Sequence, residues 1–343
     1  MPGSAVSAAA SSRASVVPPR MRTWGAMRES VRRACGRAGT GGRVRSVHDH
    51  RALKCGGGVA WVRIAPPGRA DRYRPAMDSV RAVLIDIDGV LTVSWEPLPG
   101  AVEALREIRE AGLAVALVTN TTSRTRASIA GTLAKAGFPV TARDILTAPA
   151  VTAAYIAEHF PGARCALLNS GDIGEDLGDV DVIDAGDTGT VPDVVIVGGA
   201  GPEFDYVALN RAFGHLQRGA RLVAMHRNLY WRTDDGLQLD AGAFLAGLEK
   251  AARTDAVVTG KPSRAFFASA LARLGAGADE AVMVGDDVES DVLAAQAAGV
   301  TGVLVRTGKY LPQTHRDASG TPDHVIDSFA ELPALLRSWS AEQ

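Results

Sequence analysis

The sequence predicts an α/β fold, a parallel sheet covered on both faces by helices and carrying a second α/β unit. Three observations predict it. From Ser79 onward, short apolar runs alternate with segments of helical period. Those runs are apolar almost throughout, as strands buried on both faces must be. The segment before them, residues 1–76, shares none of this pattern.

Taken in order, residues 80–85 (VRAVLI) form a β-branched run that ends in Asp86. Residues 100–111 read as a helix, with Ala101, Val102, Leu105 and Ile108 on one stripe and Gly112 as its stop. A strand over 113–118 and a helix over 124–136, closed by Gly137, repeat the unit. Between 163 and 240 lies the second set: strands over 164–168, 193–197 and 221–225, with a helix over 206–218. Strands over 256–259, 281–284 and 300–305 alternate with helices over 263–274 and 288–298, and 325–326 with a helix over 328–338 completes the series.

The net charge of −1 hides an asymmetry: residues 1–76 hold 15 Lys/Arg against 3 Asp/Glu, and the remainder 22 against 35. The basic segment is rich in Ala, Gly, Arg, Ser and Pro, without a sustained apolar period, so disorder is the expectation for it. Three readings fit it: an extension upstream of a natural start at Met77, an Arg-rich transit peptide, or a nucleic-acid-binding arm. The three cysteines, Cys35, Cys55 and Cys165, are far apart and form no CxxC, which argues against a disulfide framework or a zinc site. No apolar run approaches the roughly 18–20 residues that span a bilayer, and no secretory signal opens the chain, so a cytoplasmic protein is expected.

The chemistry lies at the carboxyl ends of the strands, where open parallel sheets bind ligands. One strand runs into Asp86-Ile87-Asp88-Gly89 and another into Thr119-Asn120. A third runs into Gly260-Lys261-Pro262 and a fourth into Gly285-Asp286-Asp287-Val288-Glu289-Ser290-Asp291. Singly, each has a bland reading: a DxDG turn, a helix cap, a solvated lysine, an N-cap carboxylate. All four in order at strand ends make a constellation. The two-residue period of a strand end puts Asp86 and Asp88 on one side. One carboxylate can then attack while the other moves protons. Clustered carboxylates facing a phosphate require cations, and hard oxygen donors suit Mg2+.

With these four motifs the sequence resembles the haloacid dehalogenase superfamily, from Val80 to about Leu336. The resemblance implies a Rossmann-like core and an Mg2+-dependent phosphohydrolase working through an aspartyl-phosphate. Asp86 would be the nucleophile and Asp88 the general acid/base. Thr119, Asn120 and Lys261 would hold the phosphoryl group and balance its charge. Asp86, Asp286 and the backbone carbonyl of Asp88 would hold the metal, braced by Asp287 and Asp291. Thr119 follows Asp86 by 33 residues, whereas Lys261 follows Thr119 by 142, room for a whole domain. The resemblance therefore narrows to members with a large α/β cap, and the expected division is core over 77–162 and 241–343 with the cap over 163–240. Gly236-Leu237, Val258-Thr259-Gly260-Lys261-Pro262 and Thr307-Gly308-Lys309-Tyr310 resemble the branch of phospholysine phosphohistidine inorganic pyrophosphate phosphatases.

Some animal members of that branch carry Ser where this chain has Asp88, so the acid/base is a departure that favours phosphate esters. His226, Arg227, Asn228, Tyr230 and Trp231 either reach over the substrate or are ordinary cap surface. The glycines in 197–201 lack the strand-GxGxxG-helix pattern and read as a turn. The functions in competition are a phosphatase for a small phosphorylated molecule, an inorganic pyrophosphatase or phosphohistidine/phospholysine phosphatase, and a non-catalytic phosphate-binding protein. A homodimer through the cap is a family expectation; neither a membrane nor a nucleic acid is expected as partner.

Overall fold

The computed structural model describes residues 44–47, 50–55, 58–63, 80–184, 187, 189–233 and 236–341. The chain divides into two compact units, 1–73 and 74–343. In the first, β1 (Val44–Val47), β2 (His50–Cys55) and β3 (Gly58–Arg63) form an antiparallel sheet in that order. These strands lie within residues 1–76, the segment for which disorder is the expectation from sequence. Two-residue spacings separate them, the second being Gly56-Gly57; such spacings suit tight hairpins and cost little closure entropy. The remainder of 1–76, and Met77, lie outside the described residues, as do the three readings of that segment.

In the second unit the strands follow as β4 (Ala82–Asp86), β5 (Thr92–Val93), β6 (Glu96–Pro97), β7 (Ala114–Thr119) and β8 (Ile145–Thr147). Next come β9 (Arg164–Leu168), β10 (Asp181–Val182), β11 (Val194–Val197), β12 (Arg221–Ala224), β13 (Tyr230–Thr233) and β14 (Gly236–Leu239). The last are β15 (Val257–Val258), β16 (Ala281–Gly285), β17 (Thr301–Val305) and β18 (His324–Ile326). One sheet has the order β18-β17-β16-β4-β7-β8, parallel throughout. A second, also parallel, has the order β10-β9-β11-β12-β15. This is the α/β architecture the sequence predicts.

Strand alternation explains the core of the first sheet. Val83 and Ile85 point to a face covered by Leu105 and Ile108 of helix Ala101–Glu110, Leu133 of helix Arg126–Lys135 and Leu336 of helix Leu332–Ala341. Leu84 points the other way, to Phe266 and Phe267 of helix Arg264–Leu274. All of these are buried, each contributing about 1.5–3 kcal/mol.

Helix Ala241–Ala252 buries Leu245 and Leu248 against β11, β12 and helix Tyr206–Gln217, on one face of the second sheet. The strand expected over 256–259 belongs there too: Val257 and Val258 pair with Val223 and Ala224 of β12. The chain therefore rejoins the first sheet later than 241. Apolar composition marks a buried strand but does not name its neighbour. Residues 145–159, unassigned from sequence, form β8 and helix Ala148–His159, with Thr147 capping Ala150 N at 3.4 Å and a proline in the first turn.

Two polar contacts seat the second sheet on the first. Buried Asp176 accepts from Arg126 Nε at 2.9 Å and from Thr147 Oγ1 at 2.8 Å. Asn169 donates to the Thr122 carbonyl at 3.0 Å and accepts from Gly199 N at 2.9 Å.

Candidate active site

β4 lies between β16 and β7, so the carboxyl ends of three parallel strands open at one place. Asp86 ends β4 and is buried. The chain turns at once, with Leu91 N and Thr92 N both donating to the Ile87 carbonyl. Gly89 permits the turn: its φ is +84°, and a Cβ there would stand 2.0 Å from Asp286 Oδ2. The turn brings Asp88 beside Thr121, whose hydroxyl donates to Asp88 Oδ2 at 3.4 Å. Thr119 ends β7, buried, with its hydroxyl 2.8 Å from that of Thr121.

Lys261 is 3% exposed and joins two strand ends. Its ammonium stands 2.7 Å from Asp86 Oδ1 and 2.7 Å from Asp291 Oδ1, and donates to the Val118 carbonyl at 3.4 Å. Asn120 clamps its backbone: Asn120 Nδ2 donates to the Lys261 carbonyl at 3.0 Å, and Lys261 N donates to Asn120 Oδ1 at 2.9 Å.

Asp286 follows β16, Asp287 precedes the wide helical turn Val288–Leu293, and Asp291 lies within that turn. Asp287 Oδ1 caps that turn, accepting from Glu289 N at 3.1 Å and Ser290 N at 3.0 Å. Its own N donates to Asp291 Oδ2 at 3.3 Å, so Asp291 is held from two sides. Asp286 Oδ2 accepts from Lys309 N at 2.7 Å, on the loop after β17. Asp286 Oδ1 is buried without a hydrogen-bond partner, and oxygens of Asp86, Asp286 and Asp291 lie within 4.8 Å of one another. An orphaned buried carboxylate oxygen among hard anionic donors is what a divalent cation such as Mg2+ fits. The Asp88 carboxylate is not part of that acidic group.

The electrostatics follow from this crowding. Burial pushes Asp86, Asp286 and Asp291 above the ordinary carboxylate range, Asp291 to about 7; repulsion adds to it, from Asp88 on Asp86, from Asp86 and Asp291 on Asp286, and from Asp86 and Asp287 on Asp291. Burial also raises Asp88. For Lys261 burial works against the charge, but Asp291 and Asp86 outweigh it and hold the ammonium protonated. Asp286 and Asp86 do the same for Lys309.

All the site residues expected from sequence converge here: Asp86, Asp88, Thr119, Asn120, Lys261, Asp286, Asp287 and Asp291. Sequence reasoning did not name Thr121 or Lys309 as site residues. Lys309 stood in a segment noted for its resemblance, but nothing in its spacing foretold the bond from its backbone to Asp286. Of the residues read either as reaching over the substrate or as ordinary cap surface, His226 is buried at the seam between the sheets, near Thr122 and Gly199. Arg227 turns away to Glu249, at 2.6 and 2.7 Å. Tyr230 and Trp231 are exposed on the β13–β14 hairpin.

A family model described as haloacid dehalogenase-like hydrolase matches residues 83–183, and one described as HAD-hydrolase-like matches 258–332. Phospholysine phosphohistidine inorganic pyrophosphate phosphatase of Xenopus laevis is 36% identical over 267 residues, covering 76% of this chain and 95% of that protein. Among solved structures, 4-nitrophenylphosphatase from Thermotoga maritima superposes with a TM-score of 0.70 at 25% identity, over 76% of this chain and 98% of that one. The glycerol phosphate phosphatase of Mycobacterium tuberculosis in complex with magnesium gives 0.68 at 28% identity, over 76% and 80%.

Proposed function

The chain belongs to the haloacid dehalogenase-like hydrolases and is a phosphatase, and from that premise we propose that it is Mg2+-dependent and acts through an aspartyl-phosphate on a small phosphorylated molecule. One observation carries the reading. A single buried ammonium bridges Asp86 and Asp291 at 2.7 Å each, beside the unpartnered Asp286 Oδ1. That arrangement neutralises an attacking carboxylate and leaves an oxygen for a cation.

Asp86 attacks phosphorus as the bond to the leaving oxygen breaks, and Asp88 gives that oxygen its proton. Burial raises the Asp88 pKa, which favours the protonated form a general acid needs. Asp88 then takes a proton from water, which attacks the same phosphorus and releases phosphate from Asp86. Thr119 and Lys261 hold the phosphoryl oxygens, Asn120 holds Lys261, and Asp287 and Asp291 hold the acidic end in place. Mg2+, held by Asp86, Asp286 and the Asp88 carbonyl, would supply charge neutralisation of the phosphoryl oxygens.

On this reading the second sheet is the cap, and its exposed Leu229, Tyr230, Trp231 and Leu239 are where a homodimer would form. A cytoplasmic setting belongs to the same proposal; among the described residues no helix is long and apolar enough to cross a membrane. The name of the Xenopus laevis relative favours a second reading, a pyrophosphatase or a phosphohistidine/phospholysine phosphatase. The test is a panel of sugar phosphates, nucleotides, pyrophosphate and phosphohistidine, with and without Mg2+. Mg2+-dependent turnover lost in Asp86→Asn supports the proposal. Turnover retained in Asp86→Asn overturns the mechanism, and no turnover of any compound favours a phosphate-binding protein.

A further inference from the structure

The hairpin of β5 and β6 follows Asp88 directly and has no part in the chemistry above. Asp88 pairs with Thr92 in a single bridge, Gly89 N donates to the Thr92 carbonyl at 2.7 Å, and Leu98 N donates to the Leu91 carbonyl at 2.9 Å. The place of Asp88 is thereby tied to the hairpin backbone. Ser94 and Trp95 alone make the turn between the two strands. Both have left-handed backbone, with φ of +50° and +69°. A two-residue hairpin turn of this hand ordinarily takes Asn, Asp or Gly, because a Cβ opposes positive φ. Such backbone persists where its surroundings over-determine it, and it gathers at functional sites.

The side chain of Trp95 supplies the surroundings. Its half-buried indole packs against the core of the first sheet, and Arg124 lies over the ring, with Cζ 4.6 Å from the centroid. Indole is the ring that attracts a cation best. Arg124 Nη1 also reaches the Thr132 hydroxyl at 3.5 Å. Arg124 belongs to the loop after β7, which carries Thr119, Asn120 and Thr121. That loop is fixed from other directions, through Asn120 on Lys261, Asn169 on the Thr122 carbonyl and Arg126 on Asp176. Among the described residues, one hydrogen bond and one ring contact join it to the loop after β4. The hydrogen bond, from Thr121 to Asp88 Oδ2, is 3.4 Å long, too long to fix a carboxylate by itself. The ring contact is the stack of Arg124 on Trp95.

We infer that this stack is a latch: Trp95 and Arg124 are positioning residues that hold the Asp88 turn in register with the loop of Thr119 and Thr121. The inference rests on the phosphatase reading for what Asp88 does, but the latch can be read without turnover. Hydrogen exchange is measured on the full chain with Mg2+. In Trp95→Leu and in Arg124→Ala the protected amides within 89–98 should exchange about two- to thirtyfold faster, the span a cation–π contact supports. Those of helix Ala101–Glu110 should not change. Trp95→Phe and Arg124→Lys, which keep a ring and a cation, should stay near the parent.

The consequence for Asp88 is read with phenyl phosphate and 4-nitrophenyl phosphate, alike in shape but unequal in how much the leaving oxygen needs a proton. The measure is kcat/KM, which covers the steps through transfer to Asp86 and leaves out the later release of phosphate. The ratio of phenyl to 4-nitrophenyl ester should fall about tenfold in Trp95→Leu and Arg124→Ala, and likewise in Asp88→Asn. Added to Asp88→Asn, the latch substitutions should change the ratio no further, which a general loosening would not give. Circular dichroism verifies folding; because Arg124 is only half-buried, its variant stands even if Trp95→Leu does not fold. Exchange over 89–98 unmoved by Arg124→Ala would overturn the inference. So would a ratio that Asp88→Asn shifts and the latch variants leave alone. Faster exchange with no turnover of either ester, or with a ratio that Asp88→Asn does not move, sinks the acid role of Asp88 and leaves the latch supported.

Discussion

Lys261→Met removes the one ammonium that bridges two buried carboxylates. Lys261 is 3% exposed, Asp86 5% and Asp291 1%, so water cannot take over its part. Breaking a buried pair from one side costs about 3–5 kcal/mol, because the remaining charge is left uncompensated. Two contacts of 2.7 Å do not double that figure. Burial already holds Asp291 at about 7 with the lysine present, so without it a carboxyl takes up a proton instead. The sign follows: a carboxyl raised in the folded state from its ordinary 3.8 favours folding most below 3.8, and that advantage is lost as pH rises through the folded value. The metal-free parent should therefore lose stability between about pH 4 and pH 7. The deficit of Lys261→Met should be about 3–5 kcal/mol at pH 8 and shrink to about 1–2 kcal/mol at pH 5, where the orphaned carboxyls are neutral. Urea unfolding without Mg2+ measures both. In the double variant Lys261→Met/Asp291→Asn, roughly 1–3 kcal/mol of the loss should return, since the two groups are in contact. A deficit below about 1 kcal/mol at pH 8, or one equal at the two pH values, would refute the argument.

Three further outcomes are expected. Asn120→Ala removes both bonds that clamp the Lys261 backbone, so stability should fall by about 1–3 kcal/mol, and misplacing the ammonium should lower kcat by roughly a hundredfold; a normal kcat would argue against a positioning role. Mg2+ at about 100 times its Kd should stabilise the protein by about 2.7 kcal/mol. That gain should be larger at pH 8 than at pH 5, because protons compete for the carboxylates, and absent in Asp286→Asn; thermal unfolding with and without the ion measures it. Asp88→Ser should cost ester hydrolysis about a hundredfold or more, while phosphoramidate hydrolysis falls less, since that leaving nitrogen depends less on a side-chain acid; equal losses in steady-state rates would contradict it.

Much of this was legible in the sequence because strand-end chemistry is local. The run ending in Asp86, the Asp88 two residues on, and the Asp286-to-Asp291 spacing depend on backbone period alone, and the structure brings them together. What was illegible depends on which strands are neighbours. Val257 and Val258 are apolar in either sheet, and only their register with Val223 and Ala224 assigns them to the second. Helix Ala241–Ala252 has a buried stripe that fits a core helix equally well until Leu245 and Leu248 are seen against helix Tyr206–Gln217. Lys309 enters the site through a backbone N–H on Asp286, a contact that any residue type could make. In the basic segment, the strands β1 to β3 depend on ladder pairing that apolar periodicity does not report.

The nucleophilic role of Asp86 is tested most directly by trapping the covalent intermediate. The protein with Mg2+ is mixed with a substrate that it turns over, quenched in acid within one turnover, digested and mapped by mass spectrometry. The account predicts a phosphoryl group on the peptide containing Asp86, lost on hydroxylamine treatment as an acyl phosphate should be, and absent from Asp86→Asn. Full turnover with the label on another residue, or equal turnover by Asp86→Asn, would contradict it.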